Sequence, residues 1–152
     1  MANKSKAKGT RFETACALYL SEQLECDVER RALHGAKDMG DLFGIKAHGS
    51  SGIAECKNYK AITDSELSRW KEQTVVERGN ADADFALLLV HKPATNGSDP
   101  QAKTFGNNLC YVQLRDLAVI AGTIEGAQNV WVQLTLQDAA RLMRGWEEDW
   151  TI

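Results

Sequence analysis

Apolar residues recur along this chain with two different periods, and the alternation between them sketches a fold. Over residues 9–25, Phe12, Cys16, Tyr19, Leu20 and Leu24 fall at helical spacing and predict an amphipathic helix. Residues 26–33 read as a strand, although a charged one. GDLFGI (40–45) and SGIAECKNY (51–59) are short strand-like runs separated by a polar, glycine-containing turn, which is a hairpin signal. Thr63, with Glu66 three residues on, opens a second helix through a capping box, and that helix runs to about Gly79. ADFALLLVH (83–91) is almost uninterruptedly apolar, as expected of a strand covered on both faces. A polar loop follows over 92–108. A strand at 109–113, a short helix at 114–121, a strand at 129–134 and a helix capped by Thr135 and running to about Glu148 complete the pattern. The order predicts an α/β fold, a mixed β-sheet flanked by helices. The helix between the Glu55 strand and strand 83–91 predicts a crossover between parallel neighbours.

Length and composition narrow this. The 152 residues suit one domain with a substantial core, and 43% apolar with 26% charged residues is a globular rather than a disordered balance. Residues 1–8 are expected to form a flexible basic arm and 9–152 a single domain. No apolar run approaches the roughly 20 residues that span a bilayer. The basic start, MANKSKAKGTRFE, lacks the apolar stretch of a secretory signal, so a cytoplasmic protein is expected. Cys16, Cys26, Cys56 and Cys110 have neither CxxC spacing nor a paired-histidine partner motif, which predicts reduced, mostly buried thiols. The net charge is −3, yet residues 1–60 carry 10 Lys and Arg against 8 Asp and Glu, while residues 61–152 carry 8 against 13. A bias of that size is compatible with scatter and with a nucleic-acid partner for the first half.

Chemistry concentrates in that first half. Alternate residues of a strand share a face, so Glu55 and Lys57 project together while Ala54, Cys56 and Asn58 point the other way. Antiparallel pairing in the hairpin can bring Asp41 beside Glu55. Adjacent carboxylates repel unless protonated or bridged by a cation, and two hard oxygen ligands with open positions suit Mg²⁺. Lys57 is then placed to orient or deprotonate a water, or to steady phosphate charge. Glu13 shares a helical stripe with Ala17, Leu20 and Leu24 that should face the sheet, where it needs a partner, either a cation or Lys57. Singly these signals are weak: an acid-x-Lys triplet arises on the order of once by chance in a chain of this length, and Asp41 alone reads as a turn residue. Their combination is the signal.

That combination resembles the PD-(D/E)xK nuclease superfamily, with Gly40-Asp41 in place of Pro-Asp and Glu55-Cys56-Lys57 as the acid-x-Lys element. It is most similar to the archaeal-type and phage Holliday junction resolvases. Their Lys-Gly-x-x-x-Glu start is matched by Lys8-Gly9-Thr10-Arg11-Phe12-Glu13, their basic strand by Val28-Glu29-Arg30-Arg31, and a glutamine on the next helix by Gln73. The resemblance covers about residues 8–92, a core motif region of 9–92, and leaves 93–152 as a C-terminal elaboration. It implies a restriction-endonuclease-like fold and a homodimer. It also implies Mg²⁺ or Mn²⁺ held by Asp41, Glu55 and the Cys56 backbone carbonyl. Lys57 would be the catalytic lysine and Glu13 a further acid. The implied reaction is phosphodiester hydrolysis in branched DNA, leaving a 5′-phosphate.

Lys4, Lys6, Lys8, Arg11, Arg30, Arg31, Lys37 and Lys60 are the candidate phosphate contacts, set against the reading of a solvated tail and ordinary surface charge. With no helix-turn-helix and no zinc finger, recognition of DNA shape is favoured over a long base sequence. Trp131, Trp146 and Trp150 could stack on bases, although packing in a core or dimer interface is the commoner use of such residues. Two other functions remain: a restriction-type, nicking or end-processing nuclease on the same fold, and a DNA-binding protein without activity.

Overall fold

The structure, a computed structural model, describes residues 4–32, 35–122 and 131–145. Helix α1 (Lys4–Leu24) is followed by β1 (Glu29–Arg30) and by a hairpin of β2 (Leu42–Ala47) and β3 (Ser50–Lys57). Helix α2 (Asp64–Asn80) leads to β4 (Phe85–Val90). A short 3₁₀ turn (Phe105–Asn107), β5 (Leu109–Gln113), α3 (Leu114–Ala121), β6 (Trp131–Thr135) and α4 (Leu136–Arg144) follow. Among the described residues, six strands form one sheet in chain order, β1 to β6. Of these, the β3–β4 pair is parallel, with Glu55 opposite Leu88 and Lys57 opposite Val90. The other pairs are antiparallel. The expected α/β mixed sheet is present, and the segment after residue 92 extends the same sheet through β5 and β6.

The strand β4 shows why. All six of its residues are buried, and they alternate between two cores. Leu87 and Leu89 join Phe12, Cys16 and Leu20 of α1 and Leu136 and Met143 of α4 on one face. Leu88 and Val90 pack with Trp70 of α2 on the other. Ala54 and Cys56 of β3 belong to the first core, so Glu55 and Lys57 point toward the α2 side. The Lys57 Nζ indeed lies 5.8 Å from the Trp70 ring centroid. Helix α2 begins at the expected capping box, in which the Thr63 side chain accepts from the Glu66 N–H and the Glu66 carboxylate accepts from the Thr63 N–H.

Several boundaries differ from expectation. Lys4 to Lys8, expected to be part of a flexible arm, are the first helical residues of α1. The strand expected at 26–33 shrinks to Glu29–Arg30, both exposed, because an edge strand with no apolar face gains little from a longer pairing. Strand β2 starts two residues late. Its pairing with β3 shifts between Leu42 and Ile45, at Gly44, whose φ of 82° places its α-carbon hydrogens against the Asp27 carbonyl, where a Cβ would sit 2.5 Å from the oxygen. Trp146, Trp150 and the expected end of the last helix lie outside the described residues. The four cysteines are free, and Cys16, Cys56 and Cys110 are buried.

Candidate active site

The site forms where β2 and β3 separate. The Asp41 N–H donates to the Ala54 carbonyl at 2.9 Å, the last rung before the strands part, and the Asp41 carbonyl accepts from the Arg31 N–H at 2.7 Å. The Asp41 side chain then turns into the gap, where its Oδ2 accepts from the Cys56 N–H at 2.8 Å. This aims the carboxylate at β3 and leaves its other oxygen for a second partner. The preceding Gly40 makes the approach possible. Its φ is 90°, a conformation closed to the proline that stands there in the motif the sequence resembles, and a Cβ at that position would come within 3.2 Å of the Ala54 carbonyl oxygen.

Glu55 is 4% exposed. The Lys57 Nζ lies 3.4 Å from its Oε1, while its Oε2 is buried with no hydrogen-bond partner. Burial raises the Asp41 carboxyl to about 8, and the neighbouring Glu55 adds to the effect against the opposing Cys56 N–H and Lys57. Burial likewise raises Glu55 to about 8, with Glu77 adding to the shift and Asp41 and Lys57 opposing it. The two predicted acids are thus close enough to share a proton or a cation, on one side of the sheet and beside the predicted lysine.

Glu13 reaches the same region from α1, flanked by buried Phe12, Ala17 and Leu20. Its hydrogen-bonded partner is not the expected Lys57 but Arg30, whose Nε is 3.0 Å from its Oε2. Burial raises its pKa first, Asp41 raises it further, and Arg30 and then Lys57 oppose.

Sequence reasoning missed two carboxylates. Glu77 of α2 is 1% exposed and touches Glu55, and the exposed Asp38 completes a cluster in which one oxygen from each of Asp38, Glu55 and Glu77 lies within 4.8 Å of the others. Burial raises Glu77 to about 7; Glu55 opposes the shift, Asp38 adds to it, and Gln73, the expected helix glutamine, stands beside Glu77 and favours its charged form. The signal was available in the sequence: Trp70, Thr74 and Glu77 make one inward stripe of α2, the same pattern that exposes Glu13.

A cleft of about 880 Å³ opens over Asp41, Glu55 and Lys57. Glu13, Lys6 and Lys8 line it from α1, Arg30 from the end of β1 and Arg31 from just after it, and Lys60 from the segment after β3. Lys4, Arg11 and Lys37 are exposed but stand outside this lining. Arg31 has its guanidinium 4.8 Å from the Phe43 ring centroid, and its Nε is buried without a partner. A second depression, about 700 Å³ at the far end of α1, is lined by Glu22, Glu25, Asp27 and Asp99 and by no basic residue, so it has nothing to offer a phosphate.

No protein-family model matches the chain, and no curated relative matches it. Among solved structures, the chain is similar to Hjc of Archaeoglobus fulgidus, a Holliday junction resolvase from an archaeal hyperthermophile. The TM-score is 0.45 and the identity 18%, over 88% of this chain and all of the other. With shape and sequence similarity that low, the chemistry of the site is read from its own side chains. Among the described residues, no helix is long and apolar enough to cross a membrane.

Proposed function

We propose that the protein is a divalent-metal-dependent DNA endonuclease of the branched-DNA type, acting as a homodimer. One observation carries this reading. Asp41, half-buried just before β2, and Glu55, buried on β3, meet with one oxygen of Glu55 unpaired, next to a lysine 3.4 Å from Glu55, on the floor of a cleft rimmed by Lys6, Lys8, Arg30, Arg31 and Lys60. A structural ion pair would match each charge. Here the acids outnumber the lysine, in a place where desolvation penalises every unmatched charge.

Asp41, Glu55 and the Cys56 carbonyl are the groups that would hold Mg²⁺ or Mn²⁺. Such an ion supplies a lowered pKa for water and neutralisation of phosphate charge. The protein's own residues do the rest. The Cys56 N–H fixes the Asp41 carboxylate, so the ligand oxygen needs no reorganisation. Lys57, held between Glu55 and the Trp70 ring, orients the attacking water or steadies the charge of the phosphate oxygens. Arg31 and the lysines grip neighbouring phosphates without reading bases. Arg30 favours the charged form of Glu13 at the edge of the cleft, against burial and Asp41. Hydrolysis at the 3′ oxygen leaves a 5′-phosphate.

The test is a panel of end-labelled DNA forms, comprising a four-way junction, linear duplex, nicked duplex and flap, incubated with and without Mg²⁺. Cleavage of the junction in preference to the others, dependent on Mg²⁺ and lost in Asp41→Asn with DNA binding retained, is the expected outcome. Preference for a linear, nicked or flapped substrate would reassign the enzyme to another kind of nuclease, and inertness of both proteins on every form would refute catalysis.

A further inference from the structure

We propose that Asp38, Glu55 and Glu77 bind a second divalent cation on the α2 side of Glu55, a supporting ion that fixes this carboxylate. The binding stands on geometry alone; only its role rests on the nuclease reading.

The three carboxylates come from three elements: the segment before β2, the body of β3 and the last turns of α2. One oxygen of each lies within 4.8 Å of the others. Glu77 is the feature that demands a ligand. It is 1% exposed, and neither of its oxygens has a hydrogen-bond donor in bonding geometry, nor does the Oε2 of Glu55 beside it. Among the described residues no basic side chain pairs with Glu77 or Asp38. Lys57 is spent on the Oε1 of Glu55. Arg78, the neighbour of Glu77 in sequence, turns away to Asp116 at 2.7 Å and Gln113 at 2.6 Å. Buried carboxylate oxygens without a donor or counter-charge are costly, and a hard cation would remove that cost at Glu77 and at the Oε2 of Glu55 together.

The remaining geometry suits such an ion. Asp38 is tied down twice, its Oδ1 accepting from the Gly40 N–H at 3.0 Å and its carbonyl accepting from the Asn80 Nδ2 at 2.8 Å. Asn80 is three residues beyond Glu77 on α2, so helix and loop hold the two acids in register. Asp38 is exposed, which opens that side to the waters a cation of this kind retains. Oxygens on opposite sides of a Ca²⁺ stand about 4.6–5.2 Å apart and those of a Mg²⁺ about 4.0–4.2 Å. Three oxygens within 4.8 Å of one another are therefore spaced on the scale of one such ion's coordination shell. Neither Asp38 nor Glu77 lines the cleft, so this ion would not touch the phosphate. It would set the direction of the Glu55 carboxylate from behind, as a positioning element.

The experiment is a Mn²⁺ titration of the full chain without DNA at pH 8, counting bound ions by the electron paramagnetic resonance of free Mn²⁺. The expected result is that Glu77→Gln and Asp38→Asn each lose one ion, or weaken it on the order of 10- to 100-fold or more, and that Asp41→Asn keeps this ion. Asp38→Asn alters an exposed side chain and serves if Glu77→Gln does not fold. An ion count and affinities unchanged in both variants would overturn the proposal and leave Glu55 and Glu77 as a proton-sharing pair. The same titration separates this site from the nuclease reading. Metal-dependent cleavage with an unchanged count sinks the second ion alone, whereas an ion lost in both variants of a protein that cleaves no DNA sinks the nuclease alone.

Discussion

Asp41 and Glu55 are held near 8 and Glu77 near 7, in each case first by burial, while carboxyls in an unfolded chain titrate near 4. The folded protein therefore binds more protons than the unfolded one between about pH 4 and pH 8. Stability contributed by these groups is fully present below about pH 4 and is lost as pH rises through 7 to 8. The metal-free protein should melt at a progressively lower temperature between pH 5 and pH 8.5, and Mn²⁺ should raise the melting temperature more at the alkaline end, where it no longer competes with protons. Calorimetry in chelator and in Mn²⁺ across that range checks the sign; a melting temperature that rises steadily to pH 8.5 in chelator would contradict it. Lys57 makes a separable prediction. Lys57→Met should lower the single-turnover cleavage rate on the order of 10²- to 10⁴-fold while leaving Mn²⁺ bound. Asp41, Glu55 and Lys57 were legible because strand alternation and one hairpin fix their mutual placement within seventeen residues. The inward stripe of Trp70, Thr74 and Glu77 marks Glu77 as facing the sheet, but its meeting with Glu55 and Asp38 was not legible, since that depends on how α2 is rotated against the sheet. The helix carries few apolar residues to announce its inner face.

At the scale of elements, the long periodic segments were readable and the edges were not. The capping box of α2, the doubly covered β4, and the bounds of β5 and α3 follow from local chemistry. The shortening of β1 and the helical state of Lys4 to Lys8 are decided by what those segments pack against, which periodicity does not reveal. One tertiary device left no trace in the pattern: Asp116, 1% exposed at the start of α3, bonds Arg78 of α2 at 2.7 Å and the Ala86 N–H of β4 at 3.0 Å and pairs with Arg115 at 3.0 Å. This ties one helix of each face to the central strand. Asp116→Ala strands Arg78 and should cost about 3–5 kcal/mol, measured by urea denaturation. A loss under about 1 kcal/mol would mean that the tie is decorative. At the Asp41 hairpin, Gly40→Pro should disrupt the turn even though the related motif has proline there, because φ at this position is positive.

The whole molecule is acidic, with a net charge of −3, yet its cleft gathers Lys6, Lys8, Arg30, Arg31, Lys57 and Lys60 around the acids. Net charge was therefore a poor guide, and the imbalance between the two parts of the chain was the better one. If these cations hold phosphates, removing Lys6 and Lys8 together should weaken binding to all DNA forms alike. The slope of log affinity against log salt should fall by about 0.9 for each duplex phosphate that is no longer neutralised. A fluorescence anisotropy titration at several salt concentrations reads both, and an unchanged slope would move the DNA elsewhere.

The central claim is that Asp41 and Glu55 hold one hydrolytic cation between them. Single-turnover cleavage of a labelled four-way junction by Glu55→Gln, with junction affinity measured in parallel, tests it most directly. A rate lowered at least about a thousandfold at near-normal affinity, at saturating Mg²⁺, is the predicted result. Cleavage by Glu55→Gln at the wild-type rate would contradict the account.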